Sequence, residues 1–396
     1  MSTVAKDVKN EKPLSERQVE TEPDQLFLNE PVERKFITGS EAAREAIRRA
    51  NVDVAIAYPI TPQSETMQQV GYLAGDGFIK DYYRAEEEYG AFSAIAGASR
   101  TGARTFTATS GPGTMRGLEV IASWPGHRLP IVAGFMARVV NAPLSIQPDN
   151  VEISYLMNTS MIVLHAENQQ DFYDFLLRSF PITEMVDVYI PIAVCCDGFF
   201  ITHARDYVSM TDETKKLTPR NPYKGAVPIT DAEDRPARLQ RDGPVQKSNF
   251  MAYNIHAVWQ QEVWASHERA KKYINRWMDG MLEVQNPNSK VMLVASGSAA
   301  AQSREVHREC RSKGWDVGLV KIRSLRPFPE AELQAATKGA KHIIVPEFNY
   351  SGWMGREVKA AVDMNSRVIA GPRVFGGVTM PTELIMDKVK ACLGKK

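Results

Sequence analysis

The chain has 396 residues, 43% of them hydrophobic, with 48 basic and 47 acidic side chains. That length exceeds one core of ordinary size and implies two domains. A formal charge of +1 gives no general field for attracting nucleic acid or an anionic membrane, so functions that depend on such a field are excluded.

Residues 1–34 are polar, with one apolar knot at Leu26-Phe27-Leu28. They read either as a disordered tail or as an arm that wraps a partner subunit. The amino terminus carries no apolar signal core and no apolar run reaches transmembrane length, so a cytoplasmic location is expected.

Regular alternation begins at Phe36. Thr38 and Glu41 match a capping box that opens a helix through about residue 50. Short apolar strands are expected at 54–58, 78–83, 104–109, 131–135, 161–166 and 190–196, with helices near 62–74, 88–101, 113–123 and 169–180. This alternation predicts a parallel sheet covered on both faces, one α/β domain over residues 35–204. Periodicity is lost over 202–248. Residues 251–282 then show a helical pattern carrying Trp259, Trp264, Tyr273 and Trp277, which read as packing anchors between domains. Together these form a linker, 205–288. A second, smaller α/β domain, 289–396, is expected from strands at 291–295, 317–322 and 342–346 alternating with helices.

The cysteines are Cys195, Cys196, Cys310 and Cys392. They form no C-x-x-C pair and read as buried thiols, so no metal or cluster site is expected on this chain alone.

Several constellations carry possible chemistry. Thr61 follows the 54–58 strand and is placed to cap the next helix, with Pro62 in its first turn. Its hydroxyl and the helix N–H groups suit a carboxylate, although spacing alone favours a plain cap. Glu86-Glu87-Glu88 is either a solvated helix start or, because small apolar residues follow, a site where one carboxyl is drawn inward and shares a proton with a ring nitrogen. Ser110-Gly111-Pro112-Gly113 lets main-chain N–H groups approach an anion or a flat ring, and it is neither a Walker loop nor G-x-G-x-x-G. Arg138, at the end of an apolar strand, is either a carboxylate clamp or a surface ion pair. Asp197-Gly198 reads as a turn in preference to a catalytic acid. His165 and His203 sit outside any metal-ligand spacing.

In this order, Tyr58-Pro59-Ile60-Thr61-Pro62, Glu88-Tyr89-Gly90-Ala91, Thr107-Ala108-Thr109-Ser110-Gly111, Ala137-Arg138 and Cys196-Asp197-Gly198-Phe199 form a series. With Arg323-Ser324-Leu325-Arg326-Pro327-Phe328-Pro329 and Glu347-Phe348-Asn349, the series resembles the α subunit of the 2-oxoacid:ferredoxin (or acceptor) oxidoreductases, over about residues 36–378. The resemblance implies a thiamine diphosphate pyrimidine-binding-type domain followed by a transketolase carboxyl-terminal-like domain. It implies that Glu88 bonds N1′ of the cofactor's aminopyrimidine, with Pro59, Ile60, Ser110 and Gly111 also on the cofactor side. It implies that Thr61 and Arg138 hold the substrate carboxylate. The implied reaction is oxidative decarboxylation of a 2-oxo acid to acyl-CoA and CO2, with coenzyme A as co-substrate.

Gly75-Asp76-Gly77 is followed by no asparagine before Asn141, so it does not complete a diphosphate and Mg2+ motif and reads as a turn. The resemblance therefore assigns Mg2+ and [4Fe-4S] clusters to β-, γ- and δ-type partner subunits, with electrons passing to ferredoxin or an NAD-reducing subunit. Two departures bear on substrate. Ser110-Gly111-Pro112-Gly113 replaces the Ser-Gln-Gly of pyruvate enzymes, and bulky apolar residues fill 152–159, which suits a hydrophobic or aromatic oxo acid such as phenylglyoxylate. Competing readings are a transketolase-like or lipoamide-linked decarboxylase subunit, and a non-catalytic scaffold of an electron-transfer complex.

Overall fold

The computed structural model describes residues 14–219, 249–362 and 367–395. Among them the strands run, in chain order, β1 (Val19–Thr21), β2 (Glu33–Thr38), β3 (Val54–Ala57), β4 (Asp81–Arg84), β5 (Thr105–Thr109), β6 (Ile131–Ala137), β7 (Ile162–Ala166) and β8 (Ile192–Asp197). There follow β9 (Arg205–Met210), β10 (Lys215–Leu217), β11 (Leu282–Gln285), β12 (Val291–Ala295), β13 (Val317–Ile322), β14 (Ser324–Arg326), β15 (His342–Glu347) and β16 (Arg367–Arg373).

Six parallel strands and one antiparallel edge build the larger sheet, in the order β14-β7-β8-β6-β5-β3-β4. Strands β5, β6 and β8 are buried along their whole length, which is why they read as continuous apolar runs. From β3 the chain moves outward to β4. It then returns across β3 to β5 and continues in the opposite direction to β6. The loops leaving β3 and β5 therefore diverge and open a crevice at the carboxyl ends of these neighbours, the topological switch point of the sheet.

Helices Gly39–Arg49, Gln63–Gly75 and Gln169–Glu184 pack on one face of this sheet, and Glu88–Arg100 with Leu118–Gly126 on the other. The expected capping box is present. Thr38 Oγ1 accepts from Glu41 N–H at 3.1 Å, and Glu41 Oε2 accepts from Thr38 N–H at 2.7 Å.

The smaller sheet has the order β11-β13-β12-β15-β16, parallel apart from β11. Helices Ser298–Ser312 and Thr382–Leu393 cover one face with their own core. The other face shares a core with the larger sheet, in which Met292, Val294, Val320 and Ile322 pack with Ile131, Ala133, Phe135 and Ala193. The two sheets are thus joined through buried apolar surface, the strongest non-specific cohesion available to them.

Several expectations are revised. Residues 14–34 do not hang free: β1 pairs with β10, and Leu26 and Phe27 are buried in the core of the larger sheet. Residues 1–13 and 220–248 of the expected arm and excursion lie outside the described residues, as does the Trp259 side chain. Within the expected linker, β9 pairs antiparallel with β2, β11 joins the smaller sheet, and Asn249–Trp277 is one long helix. Trp277 is a packing anchor, stacked on Tyr273 and edge-on to Phe27, whereas Trp264 is exposed. The single helix expected near 113–123 is two, Gly111–Arg116 and Leu118–Gly126.

A chain of charges crosses between the sheets. Lys321 Nζ, on β13, meets Glu167 Oε2 at 2.8 Å and Asp171 Oδ2 at 2.7 Å, and Arg304 pairs with both Glu167 and Glu283. Burial alone would raise the carboxyls of Glu167 and Glu283. The adjacent cations outweigh it, holding Glu167 below its ordinary value and Glu283 at about 2. Because the folded value of Glu283 is depressed, its contribution to stability is complete above the unfolded carboxylate range and is lost as pH falls toward about 2. Replacing Lys321 with Met leaves buried Glu167 with Arg304 as its remaining cation and takes the cation from half-buried Asp171. The expected loss is about 1–3 kcal/mol, read from the denaturant midpoint of the assembled protein. An unchanged midpoint would show that the network carries no weight.

Candidate active site at the switch point

Strand β3 ends at Ala57, and the chain turns through Tyr58, Pro59, Ile60 and Thr61 into the helix Gln63–Gly75. Thr61 does not cap that helix. The cap position is Pro62, which offers no side-chain acceptor, and the turn is instead closed by Gln63. The Gln63 side chain accepts from Ile60 N–H at 3.2 Å and donates to the Ala108 carbonyl of β5 at 3.0 Å. A buried glutamine thus ties the turn after β3 to the neighbouring strand, satisfying groups that would otherwise be orphaned. Thr61 is left exposed, while Pro59 and Ile60 are half-buried. Pro59 also borders a groove of about 460 Å3 lined by Met67, Tyr72, Tyr82 and Arg84.

The acidic run separates into different environments. Glu86 is exposed, and Glu87 accepts from Arg116 Nε at 2.9 Å near the surface. Glu88, the first residue of helix Glu88–Arg100, is only 7% exposed and has no ion-pair partner among the described residues. Burial pushes its carboxyl above the ordinary value, against smaller opposing effects of a main-chain bond and of Arg116. The Ser110–Gly113 turn lies directly against it. A methyl group on Gly113 would meet Thr109 Oγ1 and, at 2.6 Å, Glu88 Oε1, so only glycine lets the two segments approach this closely. The hydroxyls of Thr109 and Ser110 are buried with no hydrogen-bond partner among the described residues.

On the other side of the same turn lies Arg138, one residue beyond β6. A methyl group on Gly111 (φ +22°) would stand 2.8 Å from Arg138 Cγ. Arg138 is 6% exposed, and its Nη1 donates to the Thr61 carbonyl at 2.6 Å. Its Nε is buried without an acceptor, and no carboxylate among the described residues forms an ion pair with it. Burial lowers its affinity for its proton. The surface ion pair weighed from sequence is therefore absent.

Asp197 is more than a turn. It is wholly buried at the end of β8, accepts from Ser298 N–H at 2.7 Å and from the Ser298 hydroxyl, and faces His165 Nε2 at 3.8 Å. Its burial would raise the carboxyl, but His165 and Ser298 outweigh this and hold it low. This contact is made across the two sheets. Gly198 beside it packs on Pro62 and the Ala137 carbonyl, so the inter-sheet junction underlies the Thr61–Arg138 contact.

The structure therefore brings Glu88, Ser110, Gly111, Thr61 and Arg138 to one crevice, with Pro59 and Ile60 in the turn leading into it. Gln63 and Thr109 were missed in the sequence. A glutamine one residue after Pro62 and a threonine at a strand end carry no chemical signature until the fold sets them together. The apolar residues in 152–159 were expected to line the substrate. Ile153, Leu156 and Met157 instead lie in the core shared by the two sheets, where their size serves packing. Cys195, Cys196 and Cys310 are buried and Cys392 half-buried. Among the described residues no group of three or more His, Cys, Asp or Glu side chains gathers to hold a metal ion, and no helix is long and apolar enough to cross a membrane.

Two family models match the chain. That described as pyruvate flavodoxin/ferredoxin oxidoreductase, thiamine diP-bdg, covers residues 45–270, and pyruvate:ferredoxin oxidoreductase core domain II covers 289–385. The pyruvate synthase subunit PorA of Methanocaldococcus jannaschii is 32% identical over 355 residues, 85% of this chain and 89% of the relative. The ketoisovalerate oxidoreductase subunit VorA of Pyrococcus furiosus is 30% identical over 334 residues, 80% of this chain and 81% of the relative. In fold the chain is similar to 2-oxoglutarate:ferredoxin oxidoreductase from Magnetococcus marinus, solved with 2-oxoglutarate, coenzyme A and succinyl-CoA bound. That match has a TM-score of 0.74 and 19% identity, and covers 91% of this chain and 65% of the solved one. A split-gene transketolase in an inactive β4 tetramer matches with a TM-score of 0.55 and 12% identity, over 91% of this chain and 100% of the solved one. The chain belongs to the pyruvate flavodoxin/ferredoxin oxidoreductase family, as an α subunit of the 2-oxoacid:ferredoxin oxidoreductases.

Proposed function

We propose that this chain is the α subunit of a multi-subunit, CoA-acylating 2-oxo acid oxidoreductase and contributes the pyrimidine side of a shared thiamine diphosphate site. One observation carries the reading: the switch point holds a buried acid, Glu88, and a buried arginine, Arg138, and neither is in an ion pair among the described residues. Uncompensated buried charge of this kind is costly and is characteristic of a site awaiting a ligand.

The residues present fit the cofactor. Burial raises the pKa of Glu88, the direction that suits a carboxyl exchanging a proton with N1′ of an aminopyrimidine. Gly111 and Gly113 let the turn close against Arg138 and Glu88, and the Thr109 and Ser110 hydroxyls, without partners among the described residues, stand ready for a ligand's polar atoms. Thiamine diphosphate, when bound, supplies a nucleophilic ring carbon and an electron sink for decarboxylation. Pro59 and Ile60 shape the turn beside it. Arg138 receives the carboxylate of the oxo acid, its guanidinium aimed by the Thr61 carbonyl, and the exposed Thr61 hydroxyl adds a second donor.

Mg2+ with the diphosphate site, and the [4Fe-4S] clusters, belong to β-, γ- and δ-type subunits in this reading, with ferredoxin or an NAD-reducing subunit as acceptor. The catalytic site then lies between subunits. Residues 35–204 and 289–396 act as the two domains, joined through 205–288. The substrate class is a 2-oxo acid. The aromatic side chain suggested by residues 152–159 loses its structural support, since Ile153, Leu156 and Met157 are core.

Three variants in the assembled complex test the assignment, with CoA-dependent dye reduction as the assay. Glu88→Gln is expected to lower kcat about 100-fold or more while cofactor remains bound, the usual worth of a positioned proton-transfer group. Near-normal turnover would remove that role. Arg138→Ala is expected to raise KM for the oxo acid and lower kcat, a combined loss of about 10- to 100-fold in kcat/KM. Gly113→Ala pushes Glu88 from its place, so kcat is expected to fall while KM for CoA stays unchanged; full activity would contradict the close packing at Glu88 Oε1.

A further inference from the structure

One acid beside the crevice is not explained by anything above. Glu152, in the helix Val151–Leu156, is wholly buried. Its Oε2 lies 3.4 Å from the Arg138 main-chain N–H and its Oε1 lies 3.5 Å from the Thr114 hydroxyl, and the Gly111 N–H also donates to the carboxyl. The side chain therefore spans three segments: the turn after β5, the chain just beyond β6, and its own helix.

A buried carboxyl this close to an arginine ordinarily captures the guanidinium as a bidentate pair. Here it does not. The guanidinium turns to the Thr61 carbonyl, and Glu152 takes main-chain N–H groups. The two other buried acids nearby are occupied as well. Asp149 accepts from Val151 N–H at 2.9 Å, and Asp197 is held by Ser298. Burial drives the Glu152 carboxyl well above its ordinary value, aided by the nearby Asp149 charge and opposed by its main-chain bonds and by Arg138. Among the described residues it makes no ion pair with the Arg138 guanidinium.

We propose that Glu152 is a positioning residue for substrate binding: it holds the Gly111 turn and the Arg138 main chain in register from the protein interior, leaving the guanidinium free to meet the carboxylate of the oxo acid. This rests on the reading of Arg138 given above. The interlocking of Gly111 with Arg138 Cγ makes the register consequential, because a shift of the turn moves the arginine directly.

The test uses the assembled complex with Glu152→Leu, Glu152→Asp, Glu152→Gln and Arg138→Ala made in parallel. Measured for each are KM for the oxo acid, kcat, KM for CoA and the melting temperature. Glu152→Leu, which keeps volume but removes the acceptors, is expected to raise the oxo acid KM about tenfold, with a smaller effect on kcat and none on CoA. Glu152→Asp withdraws the carboxyl by one carbon and carries the same expectation if the leucine variant fails to assemble. Glu152→Gln, a neutral isostere, is expected to bring KM back toward the parent value. If Arg138→Ala raises KM but neither Glu152→Leu nor Glu152→Asp does, the positioning role is overturned while the reading of Arg138 stands. Glutamine as damaging as leucine would overturn the account in which Glu152 acts through its hydrogen-bond acceptors. If Arg138→Ala itself leaves KM unchanged, the reading beneath the proposal fails, and the proposal with it.

Discussion

An arginine enclosed by protein without a counter-ion is an expensive arrangement, and the region around Arg138 is organised so that it persists. The Thr61 carbonyl takes one donor, and burial removes competing water. The nearby acids Asp149, Glu152 and Asp197 are each bound to main-chain N–H groups, and among the described residues none forms an ion pair with the guanidinium.

The topology explains why this is achieved where it is. The loops leaving β3 and β5 diverge, so the Thr61 turn and the Ser110–Gly113 turn border one opening. Gln63 clamps the first to Ala108 of β5, while Gly113 allows the second to touch Glu88. The acid and the arginine consequently approach the same space from opposite flanks of a single glycine-rich turn. Nearest neighbours in this arrangement are far apart in sequence, and each depends on the close approach of a backbone that a side chain would prevent.

The smaller sheet is part of the site's support. It shares a core with the larger one, donates β14 to its edge and inserts the Gly297-Ser298 turn against Asp197 and His165. Gly198, beside that aspartate, packs on Pro62 and Ala137. A displacement of one sheet relative to the other would therefore be felt at Thr61 and Arg138, with the Lys321–Glu167–Arg304–Glu283 network resisting it.

Much of the architecture was written locally. The capping box at Thr38 and Glu41, the buried runs of β5, β6 and β8, and the helix opening at Glu88 follow from spacing and apolar pattern alone, because those effects act within a few residues. The ordered motif series also indicated the family and the candidates Glu88, Thr61 and Arg138. Other features belong to the tertiary structure. Which of three consecutive glutamates is buried, the exchange of an expected Thr61 cap for a Gln63 clamp, the docking of residues 14–34 and the incorporation of β14 into the larger sheet all depend on surfaces supplied from distant parts of the chain. The residue types of Glu152 and Arg138 were legible, but their failure to pair was not. Pairing is decided by main-chain donors and by exclusion of water, and both exist only once the sheets have closed over them.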